Sequence, residues 1–212
     1  MAKRTGGKYQ AIIEAAVRVI AQQGYHNAQV SKIAKEAGVA DGTIYVYFEN
    51  KDDVLISVFS EKMGQFIEAI NNKMKSLPSV RDKLYCLISM HFGNMARNRD
   101  YAVVTQIELR QSNPVVQEGI GQTLKKYFDL IDQLIMEGKE EGLIPPHVDN
   151  RLARKMIFGT LDQVVTAWIM KGAKYDLVSN VDPVYELLLY GLTGKTTDQS
   201  VKISGKPELA NE

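Results

Sequence analysis

Cysteine is almost missing from this chain: Cys86 is the single one in 212 residues, so no disulfide can close within it. Paired-cysteine redox centres and thiolate-rich zinc sites are excluded with it. Cys86 lies among Leu84, Tyr85, Leu87 and Ile88, where a thiol is expected to serve as a small buried hydrophobe. A redox role would need an exposed, electropositive setting. Histidine is scarce too, and His26, His91 and His147 share no metal-ligand spacing. There is no glycine-rich phosphate loop and no nucleophile elbow. An enzyme is not expected, and no catalytic or metal-binding residue is assigned. No apolar run reaches the length that crosses a bilayer. Met1 to Lys8 is polar and basic with no apolar stretch behind it, so a cytoplasmic protein without a signal peptide is expected.

What is present is apolar and helical. Hydrophobic residues make up 45% and charged residues 24%, ordinary for a soluble protein with a real core. Net charge is only +1, but it is unevenly spread. Residues 1–51 hold seven Lys/Arg against four Asp/Glu, and the rest nineteen against twenty-one. A basic head on a slightly acidic body suits a nucleic-acid-binding head. Ile13, Ala16, Val17 and Ile20 share one face of a helix over 9–23, which Gly24 ends. Asn50 is a natural N-cap for a helix of about 24 residues carrying Val54, Leu55, Val58, Phe59, Met63, Phe66 and Ile70. It runs unbroken out of the head, with no Pro until Pro78 and no Gly/Ser-rich linker. Further helical periodicity is read at 79–98, 101–111, 114–141, 149–172 and 181–193. Asn113-Pro114 starts one of these, Gly142 to Pro146 stops it, and Asp149 or Asn150 caps the next. No hairpin signal is found. The expectation is an all-α chain of about nine helices: a head at 1–50, a body at 51–195, and a polar, disordered tail at 196–212.

Val30 to Phe48 carries the most information. Ile33, Ala34 and Ala37 form one apolar face of a short helix. Gly38 supplies a stop, Val39 plugs the corner, and Asp41 caps or begins a second helix that turns Ile44 and Phe48 inward. Thr43, Tyr45 and Tyr47 are then expected to point outward, where hydroxyls can meet phosphates or base edges. This spacing describes a helix-turn-helix. Lys51 at the following helix start runs against the helix dipole, which makes sense if a phosphate sits there.

Gly24-Tyr25, Ile33-Ala34, Ala37-Gly38-Val39, Gly42-Thr43-Ile44-Tyr45, Tyr47-Phe48 and Lys51 together resemble the DNA-binding signature of the TetR family of bacterial transcriptional regulators. Gln29 and Ala40 stand where that family more often has a Ser or Thr cap, so the two helix starts are weakly specified. Candidate DNA-contacting residues are Ser31, Lys32, Gly42, Thr43, Tyr45, Tyr47 and Lys51. One short recognition helix reads few base pairs, so a homodimer on double-stranded operator DNA is expected.

The body suggests a binding cavity. Phe92, Met95, Tyr101, Ile107, Tyr127, Ile131, Phe158 and Trp168 are large and flexible or aromatic, apt to line a pocket between helices; plain core is the simpler reading of any one of them. Arg97, Arg99, Arg110, Lys125 and Lys126 are either solvated surface or anchors for an anionic ligand. The faces with Met156, Gly159 and Gln163, and with Val184, Leu187, Leu188, Leu189 and Gly191, suggest a two-fold four-helix seam in which Trp168 is a second candidate. Gln29 to Tyr45, Met63 to Glu68, Thr105 to Asn113, and Arg151 to Arg154 with Met156 to Thr160, are similar to the branch of the family that represses fatty-acid degradation in Bacillus-type bacteria. That resemblance implies a dimeric repressor released from DNA by long-chain acyl-CoA, with Arg110 the first choice for the CoA phosphates. A TetR-type repressor answering to another hydrophobic molecule, drug or lipid, is the alternative. A DNA-binding protein without a ligand would have a solid body.

Overall fold

The computed structural model describes residues 5–111 and 113–194; the tail expected at 196–212 lies outside them. Among the described residues there are nine α-helices and no strand. Helix α1 (Gly7–Gln23) packs on α2 (Val30–Glu36), which packs on α3 (Asp41–Tyr47). Ile12, Ile13, Ala16 and Ile20 of α1 meet Ile33, Ala34 and Ile44 in a core closed to water. The turn between α2 and α3 follows from Gly38. Its φ of +68° is costly for any residue with a Cβ, and it lets Val39 N–H reach the Ala34 carbonyl at 3.0 Å. Gln29 and Ala40 do stand at the N-caps without a side-chain hydrogen bond.

Helix α4 (Lys51–Met74) starts where Asn50 accepts from Asp53 N–H and runs for 24 residues into the body. Helix α5 (Val80–Arg97), capped by Ser79, leads through α6 (Arg99–Val103) to α7 (Pro114–Glu140), capped by Asn113. Helix α8 (Asn150–Met170), capped by Asp149, and α9 (Val181–Thr193) complete the body. Helix α4 packs extensively along α7. A Cβ on Gly119 of α7 would come within 2.5 Å of Ile56 Cδ1 and 2.8 Å of its Cγ1, so only glycine admits Ile56 at that depth.

The stretch expected as one helix over 101–111 is three pieces. After α6 the chain widens into a π-turn, Val104–Glu108, then tightens into a 3₁₀ turn, Leu109–Gln111. Apolar spacing is blind to such a change of pitch, because the residues keep alternating between core and surface. Cys86 also departs from expectation: it is half-buried on an outer groove beside Lys73, Tyr85 and Met90 rather than in the core. Burial still pushes its thiol pKa up.

Candidate functional site

Two places among the described residues carry features beyond packing. The first is the outer face of the head. Ile44 and Phe48 turn inward as the spacing predicts, and Phe48 stacks on Tyr9 with ring centroids 5.5 Å apart. Asp41, Gly42 and Tyr45 face solvent, and so does Val46, which sequence reasoning missed. Thr43 is half-buried. Tyr47 is not free as expected: its ring packs 5.9 Å from that of Tyr9, which leaves only part of it outward. Ser31 and Lys32 are exposed on α2, with Lys32 Nζ donating to Gln23 Oε1 at 2.7 Å.

Lys51 is engaged inside the protein. Its ammonium donates to the Tyr25 carbonyl at 2.9 Å and the His26 carbonyl at 3.2 Å, and lies 4.5 Å from the Tyr25 ring centroid. An ammonium has three donors, so one is left without a partner among the described residues. Next to it the Tyr25 hydroxyl donates to Asp52, which also accepts from Asn113 Nδ2 at 3.0 Å. Burial, then the Asp52 carboxylate, pushes the Tyr25 hydroxyl above its ordinary range. The Tyr25 and Asn113 hydrogen bonds hold Asp52 below the usual carboxylate range.

The second place is a cavity of about 340 Å³ among α4, α5, α7, α8 and the π-turn, within the range of ligand pockets. A larger hollow of about 580 Å³ lies between α4 and α5, but exposed or half-buried side chains such as Ala69, Lys73 and Cys86 line it. The 340 Å³ cavity reaches the core: Phe59, Met63, His91 and Met95 are buried and form its inner wall. Ile120, Leu124 and Phe158 add apolar wall, and Thr105, Gln106 and Leu109 a mixed one.

Arg110 and Asp162 also line the cavity. The arginine pairs with Asp162 and donates to Gln106 Oε1 at 2.9 Å, while Thr166 donates to the same Gln106 oxygen at 2.8 Å. Arg110 is half-exposed, so this network sits at the rim. Deep inside, Tyr127 O–H and His91 Nδ1 are 3.0 Å apart, and Nε2 has no partner among the described residues. Burial pushes the His91 pKa down to about 4, so the ring is neutral. The tyrosine proton is satisfied only by donating to Nδ1, which places the ring proton on Nε2. The cavity is thus apolar with one buried polar edge and a charged rim, suited to an amphiphile.

Of the nine expected ligand residues, Met95, Arg110 and Phe158 line this cavity. Tyr127 stands behind the wall, its ring 6.1 Å from Phe158. Phe92 and Ile131 are fully buried and do not line it, and Ile107 is half-buried elsewhere. Tyr101 is buried beside the clefts around Lys62 and Arg97. Trp168 is core rather than wall or seam: it is buried and its Nε1 donates to the Tyr175 carbonyl at 2.8 Å. The wall residues missed come from six separate elements, so no local spacing joins them.

On the outside of α8 and α9, Leu152, Met156, Leu187 and Tyr190 are exposed, and Met156 Cε lies 3.3 Å from where a Gly191 Cβ would stand. Val184, Leu188 and Leu189, expected in a seam, face the subunit's own core. Leu187, 72% exposed, faces out.

A helix-turn-helix head rigidly joined to a helical body with an amphiphile-sized cavity defines a ligand-responsive DNA-binding regulator. Residues 12–58 match the family described as bacterial regulatory proteins, tetR family, and residues 59–191 match that described as YsiA-like protein, C-terminal region. The chain belongs to the TetR family of transcription regulators. It is 52% identical over 193 residues to the fatty acid metabolism regulator protein of Bacillus subtilis, covering 91% of this chain and 100% of that one. The fatty acid degradation regulator FadR of Bacillus halodurans superposes with a TM-score of 0.87 at 58% identity, covering 90% and 98% of the two chains. Bacillus subtilis FadR in complex with stearoyl-CoA gives 0.84 at 53% identity, covering 86% and 98%. These relatives are regulators, not enzymes.

Proposed function

We propose that this chain is a dimeric repressor of fatty-acid degradation genes that long-chain acyl-CoA releases from operator DNA. One observation carries the reading: the chain is similar over almost its whole length to a regulator solved with stearoyl-CoA, and its own body holds an apolar cavity with the Arg110–Asp162 ion pair at its rim. The working division is a head at 1–50 and a body at 51–195. No helix among the described residues is long and apolar enough to cross a membrane, and DNA as target suits the cytoplasm. Ser31, Lys32, Gly42, Thr43, Tyr45, Tyr47 and Lys51 face the duplex in this reading. Val46 joins them as an apolar contact for a thymine methyl. The acyl chain lies against Phe59, Met63, Met95, Leu124 and Phe158, and Arg110 turns from Asp162 toward the CoA phosphates.

An operator-release titration with acyl-CoAs of increasing chain length, beside free fatty acids and CoA, tests this. Release by long-chain acyl-CoA alone is expected. Release by none of them ends the effector assignment, and equal release by free fatty acid removes the phosphate anchor.

Two substitutions sharpen the reading. Arg110→Ala should weaken acyl-CoA binding by about 1.5–3 kcal/mol, the range for a hydrogen bond to a charged group, and leave ligand-free operator binding nearly intact. Calorimetry reads the first quantity and anisotropy the second; unaltered acyl-CoA affinity would exclude Arg110 as the anchor. Lys51→Ala should weaken operator and random DNA alike and lower the salt slope by about one unit. Because Lys51 also ties down the Tyr25–His26 turn, the melting temperature should fall with it. A loss confined to operator would mean that Lys51 reads bases.

A further inference from the structure

Resting on the acyl-CoA reading above, we propose that Glu108 is the positioning residue through which the cavity sets the orientation of the head. Glu108 closes the π-turn, and its Oε2 accepts the backbone N–H of Tyr25 at 2.6 Å, 83 positions away in sequence. Tyr25 follows Gly24, the C-cap of α1, and begins the turn into α2. The tie therefore joins the body to the start of the helix-turn-helix itself. Its acceptor is a carboxylate, and hydrogen bonds to charged groups are among the stronger ones.

The other side of the same segment belongs to the cavity. Thr105, Gln106, Leu109 and Arg110 line it, bracketing Glu108 on both sides. A regular helix repeats every 3.6 residues, whereas the π-turn is wider. Gln106 and Arg110, four residues apart, share the inward face, while Glu108 between them points the other way, to the turn after α1. The segment is short and bonded at both ends: Thr105 Oγ1 donates to the Tyr101 carbonyl at 3.0 Å, and Asn113 reaches Asp52. An occupant that draws Arg110 away from Asp162 and Gln106 must shift this unit, and Glu108 carries the shift to Tyr25. The same tyrosine is held through its hydroxyl by Asp52 and through its carbonyl by Lys51, so it cannot absorb the displacement by turning alone. Asn113 to Asp52 is a parallel tie, but it is exposed and worth less in water.

The test measures operator affinity of the full chain with no ligand and with saturating palmitoyl-CoA. In the wild type the ratio of the two affinities is expected within about 5–150-fold, the usual span of allosteric coupling. Glu108→Ala should bring that ratio at least about fivefold nearer to one. Glu108→Met, which fills similar space without an acceptor oxygen, should do the same. Glu108→Gln, which keeps a carbonyl acceptor, should retain most of the ratio. Palmitoyl-CoA affinity without DNA should stay within about twofold across the series, and the effect of DNA on ligand affinity must shrink by the same factor as the ratio. A purely structural role would lower melting temperature and both affinities with the ratio intact. Wild-type coupling in both Glu108→Ala and Glu108→Met overturns the proposal while leaving the effector assignment standing. A wild-type protein that palmitoyl-CoA does not release overturns the effector assignment, and the proposal with it.

Discussion

Leu187→Glu should leave a folded, helical monomer whose operator affinity is lower by about 10²–10⁴-fold, the avidity lost when two linked heads become one. Leu187 is 72% exposed on α9, where Tyr190 is exposed too, and so are Leu152 and Met156 of α8, whose Met156 packs beside Gly191 of α9. Single exposed apolar residues are ordinary, and the dimer proposed above is what would cover four large ones on two packed helices. An isologous contact sets each strip against its own copy, so one substitution introduces two carboxylates into one seam. Sedimentation gives the assembly state, anisotropy the affinity, and circular dichroism the fold. The neighbouring substitution Leu188→Glu serves as contrast: Leu188 is 2% exposed inside the subunit, so a charge there should unfold the chain rather than divide the dimer. A Leu187→Glu protein that stays dimeric with wild-type operator affinity would move the interface off α9.

Leu124→Trp should give a repressor that binds operator normally and no longer responds to acyl-CoA. Leu124 is half-buried on α7 and faces a cavity of only about 340 Å³. An indole there takes room that the acyl chain needs, and the walls opposite, Met63, Met95 and Phe158, are already packed against the core. Overpacking a filled site costs about 1–3 kcal/mol. Here the bulk enters empty space, so the free protein should bear less of that cost and the complex more. A loss of about hundredfold in acyl-CoA affinity, about 2.7 kcal/mol, is expected. Calorimetry with palmitoyl-CoA checks it. Unaltered release would place the acyl chain in another cleft.

Helix starts were legible wherever a side chain writes them. Asn50, Asn113 and Asp149 each accept the expected capping bond, and that chemistry lies within four residues of sequence. The inward Ile44 and Phe48 were legible for the same local reason. The π-turn was not, because a wider pitch across five residues leaves the pattern of apolar positions almost unaltered. Trp168 was misplaced because size and apolarity say that a side chain is buried but not which void it borders. Leu187 and Leu188 show the same limit at a seam: neighbours of one residue type differ only in the angle at which α9 sits on α5 and α8. Phe59, Ile120, Leu124 and Asp162 went unread because the cavity exists only once separate helices meet.

The glycine beneath Ile56 has a mechanical consequence. With α4 seated against α7 at that point, the crossing acts as a fulcrum for the helix. At 1.5 Å per residue it lies about 7.5 Å from the head end at Lys51, about 10 Å from Met63 and about 27 Å from Met74. A sideways displacement at Met63 therefore reaches the head reversed in direction and reduced to about 0.7 of its size. The same displacement at Met74 arrives cut to about a quarter, by the ratio of those arms. The head is geared to the cavity and insulated from jostling at the far corner of the body.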